Sequence, residues 1–322
     1  MQSVAFSGPY PCDPCNPWLF QDPYLCDPCN PWLFQDPYLC DPCNPWLNIS
    51  VNSVAERLPD DLAAALDATV AERGVFGARL HYASEVGSTN DLAAAAADRG
   101  EPEGTTFVAG AQTAGRGRLG RTWFSPPGAG LYVSTIVRRA ALAPWITLAG
   151  GVAVADGIRA ATALPLQIKW PNDIVAAGGA GFRARRKIAG ILAEASSGPE
   201  GVSHVVLGVG INVRPAAFPP ELADRASAIE TELGRPADAG PVLAQVLVAL
   251  NRTLGELAVA GPPALVARWL ALSPSAHGAP IEWDAGPEAT SGTTAGLAED
   301  GALLARTRDG LERIVSGEVR WL

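Results

Sequence analysis

Prolines in the first part of the chain restrict where a folded core can form. The unit DPCNPWLFQDPYLC begins at Asp13, recurs at Asp27 and starts a third time at Asp41 before it breaks off. Proline at every few positions excludes a helix or a central strand, and the period of 14 residues matches no common solenoid unit. We therefore expect residues 1–53 to be a mostly disordered extension that precedes the folded part of the chain.

All six cysteines of the chain lie in this repeat, where they form CxxC pairs. The pairs are Cys12/Cys15, Cys26/Cys29 and Cys40/Cys43. Such pairs are typical of zinc sites and of disulfide frameworks. The copies, however, match residue for residue, which indicates a recent tandem duplication. An adventitious extension is the favoured interpretation, and metal binding is the alternative.

The composition is that of a soluble globular protein, with 48% hydrophobic and 18% charged residues. We find no uninterrupted apolar run long enough to span a bilayer. The N-terminus lacks the positive and apolar regions of a secretory signal. The formal net charge of -9 argues against a broad nucleic-acid surface, which requires a basic patch. The sequence thus predicts a cytoplasmic protein with no membrane partner and no nucleic-acid partner.

After the repeat, the hydrophobic pattern predicts an α+β domain followed by a small β module. Helices are predicted over 59–73, 145–163, 241–257 and 263–272, together with an alanine-rich helix that Ser88 or Thr89 caps and that runs to Asp98. Strands are predicted over 80–86, 105–111, 131–137, 166–170, 188–195 and 205–213. Beyond Pro274 the periodicity shortens, with turn signals at Asp300-Gly301 and Asp309-Gly310. The predicted domains are residues 54–272 and residues 273–322.

The loop GRGRLGR, from Gly115 to Arg121, is the first candidate for chemistry. Its glycine spacing matches a dinucleotide-binding fingerprint, but that fingerprint requires a helix to begin in the loop. Here the proline-containing stretch 123–128 follows, and it cannot form a helix. Three arginines on a glycine-hinged segment instead suit an anionic ligand, such as a carboxylate together with phosphates. A solvated basic turn is the alternative.

Three further motifs carry polar residues on predicted strands. They are KWPND at 169–173, RKIAGIL at 186–192 and GVGINV at 208–213. The first combines an ammonium, an amide and a carboxylate, which suit phosphate, a base edge and Mg²⁺ respectively, although a plain strand-end turn has the same composition. Glycines inside the third motif often mark the close approach of a ligand or another backbone. Lys169 and Lys187 are the only lysines among 24 basic residues, which indicates positions where a compact ammonium is preferred to a guanidinium.

Taken together and in this order, the motifs resemble those of the biotin–protein ligase family. The matching residues are Ser88-Thr89-Asn90, Gln112, GRGRLGR with Trp123-Phe124-Ser125, KWPND, KIAGIL and GVGINV. The resemblance covers about residues 80–322. It implies a mixed sheet with helices, as in the catalytic domains of class II aminoacyl-tRNA synthetases and of biotin and lipoate ligases, followed by a small SH3-like β barrel.

Many members of this family carry an N-terminal winged-helix domain that binds DNA. The stretch 54–79 is too short for such a domain, and the cysteine/proline repeat does not resemble one. The sequence is therefore similar to the single-function ligases, which do not act as repressors.

The resemblance implies an enzyme that joins biotin to ATP as biotinyl-5′-adenylate and then transfers biotin to a lysine. The expected cofactors are ATP and Mg²⁺, with biotin as a substrate. The expected partner is a biotin carboxyl carrier protein domain of a biotin-dependent carboxylase. A monomer and a homodimer are both compatible with the sequence.

The resemblance also assigns roles to individual residues. Lys187 and Arg118 are the implied catalytic residues. The implied biotin-binding residues are Ser88, Thr89, Asn90, Gln112, Arg116, Gly117, Arg118 and Lys187. Those implied to bind ATP or the adenylate are Arg121, Trp123, Lys169, Asn172 and Asn212, with Asp173 as the implied Mg²⁺ ligand. The three histidines fall outside the motifs and are interpreted as structural.

Three other functions are compatible with parts of the sequence. A lipoate or octanoate ligase has a similar fold and chemistry but favours an apolar acyl slot, whereas the polar Ser88, Thr89, Asn90 and Gln112 suit a ureido ring. A biotin-responsive repressor is disfavoured by the formal net charge of -9 and by the stretch 54–79, which is too short for a DNA-binding domain. A metal-binding interaction protein built on the cysteine repeat is the third.

Overall fold

The computed structural model of this chain describes residues 56–177, 185–199, 201–284 and 289–322. The cysteine/proline repeat lies outside the described residues, as does most of the glycine-rich segment that follows Ala176. The disorder of the repeat and the alternative of metal binding therefore both stay predictions.

A seven-stranded mixed sheet occupies the first and larger part of the described fold. Its strands are β1 (Leu80–Ala83), β2 (Thr106–Ala109), β3 (Gly130–Val137), β4 (Leu166–Lys169), β5 (Asp173–Ala176), β6 (Lys187–Gly198) and β7 (Gly201–Asn212). They lie in the order β1-β2-β3-β7-β6-β5-β4, in which β1 and β2 pair in parallel and the other neighbours pair antiparallel. β3 and β7 are buried along most of their length, as expected for central strands that are covered on both faces.

Helices cover both faces of the sheet. They are α1 (Asp60–Asp67), α2 (Val70–Arg73), α3 (Thr89–Asp98), α4 (Ile146–Thr162), α5 (Pro220–Ala223), α6 (Ile229–Leu233), α7 (Ala239–Ala260) and α8 (Pro262–Ala271). On one face α1, α4, α7 and α8 share a large apolar core with the sheet. On the other face α3 packs Ala93 and Ala96 against Phe107, Ile136 and Val206. These small side chains let α3 lie close to the sheet, so that its first turn borders the candidate site.

A five-stranded antiparallel sheet forms the end of the chain. Its strands are β8 (His277–Asp284), β9 (Ala289–Leu297), β10 (Leu303–Thr307), β11 (Gly310–Ile314) and β12 (Val319–Trp321), in the order β11-β10-β9-β8-β12. The turn signals predicted at Asp300-Gly301 and Asp309-Gly310 lie between β9 and β10 and between β10 and β11. Both glycines adopt positive φ, 86° at Gly301 and 132° at Gly310, which favours glycine in these turns. The predicted small β module is therefore confirmed.

A hydrogen bond attaches this C-terminal module to the KWPND turn. The Trp170 Nε1 donates to the Gly301 carbonyl over 3.1 Å. Just before the turn, the Ile168 amide of β4 donates to the Leu272 carbonyl at the end of α8 over 2.8 Å. Trp170 is buried. The module is thereby held beside the strands that carry the two lysines.

The structure confirms most of the predicted elements and corrects several. The predicted helix 59–73 is two helices, because Thr69 bonds its hydroxyl back to the carbonyls of Ala65 and Leu66 and interrupts the helix. Ser88 occupies the N-cap of α3, but its side chain makes no capping hydrogen bond. β5 and the short helices α5 and α6 were not predicted, since each has only four or five residues and no clear period.

Two helices among the described residues are long and apolar enough to cross a membrane by length and composition alone. They are the stretch Ala140–Thr162, which includes α4, and α7. The sequence analysis excluded only uninterrupted apolar runs, whereas these two helices contain a few polar residues and still reach the length of a membrane span. More than half of each apolar window is buried inside the protein, which is the position of core helices in this fold.

Gly157 permits the close contact between α4 and α7, and it generates a stability prediction. A Cβ at this position would lie 2.5 Å from the Cα of Val246 on α7. Gly157→Ala is expected to lower the free energy of unfolding by about 1–3 kcal/mol, because the helices must move apart. Urea denaturation monitored by circular dichroism measures this change.

Gly255→Ala on α7 is the matched control. Nothing lies within 4 Å of a Cβ added there, so alanine should stabilise the helix by up to about 1 kcal/mol. Equal unfolding midpoints for the two variants would contradict the proposed tight crossing.

Candidate active site

A cleft opens where the start of α3 and the GRGRLGR loop meet the middle of β3, β6 and β7. Of the residues predicted from sequence, it is lined by Ser88, Thr89, Asn90, Gln112, Arg116, Gly117, Arg118, Trp123, Asn172 and Lys187. Val133, Gly190, Ile191, Leu192, Gly208, Val209 and Gly210 complete the lining. Arg121, Lys169, Asp173 and Asn212 lie outside this lining. Residues from separate motifs are thus gathered in one place, which agrees with the sequence prediction that they act together.

A chain of hydrogen bonds fixes one wall of the cleft. The Gln112 Oε1 accepts from the Thr89 amide over 2.9 Å and from the Thr89 hydroxyl over 3.1 Å. The Gln112 Nε2 donates to the Ser125 hydroxyl over 2.9 Å. Ser88, Thr89 and Asn90 are all buried. These polar groups are therefore oriented before any ligand binds, which reduces the entropy lost on binding.

Asn90 lies at the floor of the cleft with both ends of its amide engaged. The Ser134 hydroxyl lies 2.5 Å from its Oδ1, and its Nδ2 donates to the Glu194 carboxylate over 2.6 Å. A Cβ at Gly208 would stand 2.2 Å from the Asn90 Oδ1. Glycine at 208 is therefore required for Asn90 to lie against β7.

Trp123 lies flat on the sheet over two further glycines. A Cβ at Gly210 would stand 2.3 Å from the indole nitrogen, and a Cβ at Gly190 would stand 2.9 Å from the ring. The sequence predicted that a ligand or another backbone approaches Gly208 and Gly210, whereas the groups that lie there are the side chains of Asn90 and Trp123. The indole nitrogen is buried and has no hydrogen-bond partner within the described residues.

The three loop arginines have different environments. Arg116 pairs with Asp91 at 2.9 Å and with Glu194 at 2.7 Å, and Arg121 pairs with Glu318 of the C-terminal module. Arg118 forms no ion pair among the described residues, and its Nη1 lies 3.4 Å from the Asn172 Oδ1. Burial lowers the pKa of Arg118 from its ordinary value, and the Asp173 carboxylate opposes this shift. Arg118 is thus the loop cation most available to an anion in the cleft.

The two lysines lie against tryptophans. Lys187 Nζ is 2.6 Å from the Asp173 Oδ1 and 5.0 Å from the centre of the Trp123 ring. Lys169 Nζ is 5.0 Å from the centre of the Trp321 ring, outside the lining of the cleft. Burial lowers the pKa of Lys169, and the nearby Asp173 carboxylate partly offsets this. Lys187 therefore lies in the cleft, whereas Lys169 faces the C-terminal module.

Asn172 and Asn212, the candidates for nucleotide recognition, bind backbone. Asn172 Nδ2 donates to the Ile191 carbonyl over 2.7 Å, and Asn212 Nδ2 donates to the Ser227 carbonyl over 3.0 Å. These bonds fix the turn after β4 and the end of β7. The Asn172 Oδ1 also lies 3.4 Å from the Arg118 Nη1. The nucleotide role of both asparagines stays a prediction.

Three carboxylates at the site were not predicted from the sequence, namely Asp91, Glu194 and Glu318. Glu194 interrupts the apolar run of β6, a signal that could have identified it. Glu318 gave no such signal, because its partner Arg121 lies 197 positions earlier in the chain. Glu318 also pairs with Arg225 at 3.1 Å. The two guanidiniums hold the pKa of Glu318 at about 2, the hydrogen bond from Arg121 making the largest contribution.

A magnesium ion at Asp173 is compatible with the residues present. Within the described residues no group of three or more His, Cys, Asp or Glu side chains could hold a metal ion. A Mg²⁺ that accompanies ATP needs only one or two carboxylates, because phosphate oxygens and water supply the other ligands. Asp173, next to Lys187, offers one such carboxylate.

Sequence comparison identifies two known domains in the chain. The profile of the Biotin/lipoate A/B protein ligase family matches residues 86–212, and that of the Biotin protein ligase C terminal domain matches residues 284–320. The bifunctional ligase/repressor BirA of Bacillus subtilis is 40% identical over 169 residues, 51% of this chain and 50% of the relative. The chain thus spans about half the length of that relative.

A second relative is covered more fully. The biotin–[acetyl-CoA-carboxylase] ligase of Paracoccus denitrificans is 33% identical over 223 residues, 65% of this chain and 86% of the relative. Among solved structures, the biotin protein ligase of Aquifex aeolicus in complex with biotin and ATP superposes with a TM-score of 0.64 at 29% identity, covering 76% of this chain and 99% of that one.

The fold and the matched domains place the chain in the biotin/lipoate A/B protein ligase family, and within that family it belongs to the biotin protein ligases. The resemblance drawn from the motifs is therefore confirmed. So are the mixed sheet with helices and the small C-terminal β domain that the resemblance implied. The roles of individual residues stay predictions.

The contact of Glu318 with two arginines generates a prediction about stability and pH. Glu318→Gln is expected to lower the free energy of unfolding at pH 7 by about 1 kcal/mol, the upper range for partly exposed ion pairs. The lowered pKa of Glu318 means that this contribution is fully present above the ordinary value of 4.5 and is lost as the pH falls towards about 2. The difference between the variant and the unmodified protein should shrink over that interval in urea unfolding curves.

Glu299→Gln, an exposed carboxylate on the same module, is the control. It should leave the pH dependence unchanged. A Glu318→Gln protein with the same acid profile as the unmodified protein would show that the ion pairs do not persist in solution.

Proposed function

We propose that this protein activates biotin with ATP to form biotinyl-5′-adenylate and transfers the biotinyl group to a lysine of a biotin carboxyl carrier protein domain. The observation that carries the proposal is the meeting, in one cleft, of an ordered polar wall at Thr89, Asn90 and Gln112 with two cations, Arg118 and Lys187. The wall suits a ureido ring and the cations suit a carboxylate beside a phosphate.

The first step brings two anions together. A carboxylate oxygen of biotin attacks the α-phosphorus of ATP, the bond to the bridging oxygen breaks, and pyrophosphate leaves. Lys187 lies where its ammonium can offset the repulsion between carboxylate and phosphate, a role that suits a compact charge. The Asp173 carboxylate at 2.6 Å holds this ammonium in place. Mg²⁺, held by Asp173 and the phosphates, would neutralise further negative charge.

Two arginines of the GRGRLGR loop are proposed to bind different phosphates. Arg118, which forms no ion pair in the described part of the chain, faces the cleft and can bind the adenylate phosphate. Arg121 lies at the edge of the C-terminal module, where it can meet the outer phosphates of ATP. Trp123 covers Gly190 and Gly210 and closes the cleft against water.

The second step is an acyl transfer. The acceptor lysine, as a free amine, attacks the acyl carbon, an amide forms, the bond to AMP breaks, and the proton of the amine passes to solvent. Arg118 would retain the adenylate until the acceptor arrives. The proposed acceptor is a carrier domain of a biotin-dependent carboxylase, and the proposed compartment is the cytoplasm.

A lipoate or octanoate ligase is the competing assignment within the same fold. The polar residues at the floor and wall of the cleft argue against it, because an apolar acyl chain offers no acceptor to the remaining N–H groups of Asn90 and Gln112. The repressor alternative would require DNA binding, and the net charge of -9 disfavours that function.

The test is exchange of labelled pyrophosphate into ATP, measured with biotin, lipoate and octanoate in parallel. Exchange that depends on biotin alone supports the proposal. Exchange with lipoate or octanoate instead would overturn the substrate assignment, and no exchange with any of the three would overturn adenylation itself.

Lys187→Ala is expected to reduce biotin-dependent exchange about 100-fold or more, the usual effect of removing a group that stabilises transition-state charge. Lys187→Arg should not restore it, because a guanidinium is bulkier than the ammonium that lies against Gly190 and Trp123. Initial exchange rates at saturating biotin and ATP measure the effect.

Arg159→Ala, an exposed cation on α4, serves as the control and should keep the exchange rate of the unmodified protein. If Lys187→Ala and Arg159→Ala exchange equally fast, Lys187 has no part in the first step.

A further inference from the structure

Glu194 joins the floor of the cleft to Arg116 of the GRGRLGR loop through one carboxylate oxygen. Its Oε2 accepts from the Asn90 Nδ2 over 2.6 Å and from the Arg116 Nη2 over 2.7 Å. The residue belongs to β6 and is opposite Val206 of β7 in the register. It therefore has a fixed backbone position beneath both partners.

We infer that Glu194 is a positioning residue that sets which end of the Asn90 amide faces the ligand, and so contributes to the choice of a ureido ring over an apolar acyl chain. This inference rests on the proposed function. It assigns to Glu194 no contact with substrate.

The inference follows from what an ionised carboxylate can do. It accepts hydrogen bonds and has none to donate, so the NH₂ end of Asn90 must face Glu194. The carbonyl end then faces the Ser134 hydroxyl, 2.5 Å away. One N–H and one lone pair of the amide remain, and their directions are fixed. Without Glu194 the amide could rotate by half a turn and exchange its donor and acceptor.

The surroundings hold Asn90 at this position but do not choose its orientation. Asn90 is 5% exposed and lies against the bare backbone of Gly208. The Ser134 hydroxyl also lies 2.7 Å from the Thr89 hydroxyl. Its single hydrogen can point to Thr89, which leaves the Ser134 oxygen to accept from Asn90, or to Asn90 itself. The Ser134 hydroxyl would therefore satisfy either end of the amide. Of the two polar partners of Asn90, the carboxylate alone discriminates between the orientations.

Arg116 supports the same carboxylate from the other side. It pairs with Glu194 and also with Asp91 in the first turn of α3. Its Nη2 donates to the same Oε2 that accepts from the Asn90 Nδ2, and one carboxylate oxygen can accept both hydrogen bonds. Asp91 shares Arg116 but makes no hydrogen bond to Asn90 among the described residues. Substitution of Asp91 thus loosens Arg116 while the Asn90 amide keeps its partner.

The experiment compares Glu194→Ala, Glu194→Gln and Asp91→Ala in biotin-dependent pyrophosphate exchange. Glu194→Ala is expected to raise the KM for biotin about tenfold, the effect of losing one charge-assisted hydrogen bond, with the KM for ATP and the maximal rate within about twofold. Glu194→Gln keeps an acceptor that can face the Asn90 Nδ2. It should remain within about threefold of the unmodified protein.

Asp91→Ala separates amide orientation from anchoring of the loop. It should change the KM for biotin by less than about threefold, since exposed ion pairs contribute little. Equal effects of Asp91→Ala and Glu194→Ala would overturn the inference in favour of loop anchoring. So would a Glu194→Ala protein with an unchanged KM for biotin, or one with both KM values raised and a lowered unfolding midpoint.

The unmodified protein is assayed in the same series. Absence of any biotin-dependent exchange there overturns the proposed function and this inference with it. Normal exchange in the unmodified protein combined with an unaltered Glu194→Ala variant overturns the inference alone.

Discussion

Contact between side chains and bare backbone is the constraint on which the cleft depends. Gly190, Gly208 and Gly210 lie on adjacent positions of β6 and β7, where a Cβ would collide with Trp123 or Asn90. Glycine inside a strand weakens the sheet, and here burial of the neighbouring helices offsets that loss. The long core shared by α4 and α7 covers the opposite face, so the sheet is supported there although side chains are missing on the face that lines the cleft.

Apart from Arg118, the cations at the site already pair with carboxylates of the protein. Lys187 pairs with Asp173, Arg116 with Asp91 and Glu194, and Arg121 with Glu318. An anionic ligand must therefore compete with carboxylates of the protein. The gain on binding is smaller than for free cations, but the side chains are held in place before the ligand arrives. Preorganisation of this kind favours the transition state, where charge is greatest.

The sequence predicted the fold class, the order of the main elements and ten of the residues that line the cleft. Four other predicted site residues, Arg121, Lys169, Asp173 and Asn212, lie outside that lining. The motifs carried this information because glycines, lysines and prolines at fixed spacings have few structural explanations. The sequence did not indicate that Asn172 and Asn212 donate to backbone carbonyls, since a turn asparagine and a ligand-binding asparagine have the same local pattern. Glu318 was missed for a different reason. Its importance arises from a contact with Arg121 that no local periodicity encodes.

That contact between Glu318 and Arg121 has a consequence for the order of events during synthesis. The loop residue leaves the ribosome 197 positions before its partner. The central sheet, complete at Asn212, can form while the last strands are still within the exit tunnel or unmade. The loop gains its C-terminal anchor only when β12 is in place. In a nascent chain that has not yet reached Glu318, the central sheet can therefore be complete while Arg121 still lacks this partner.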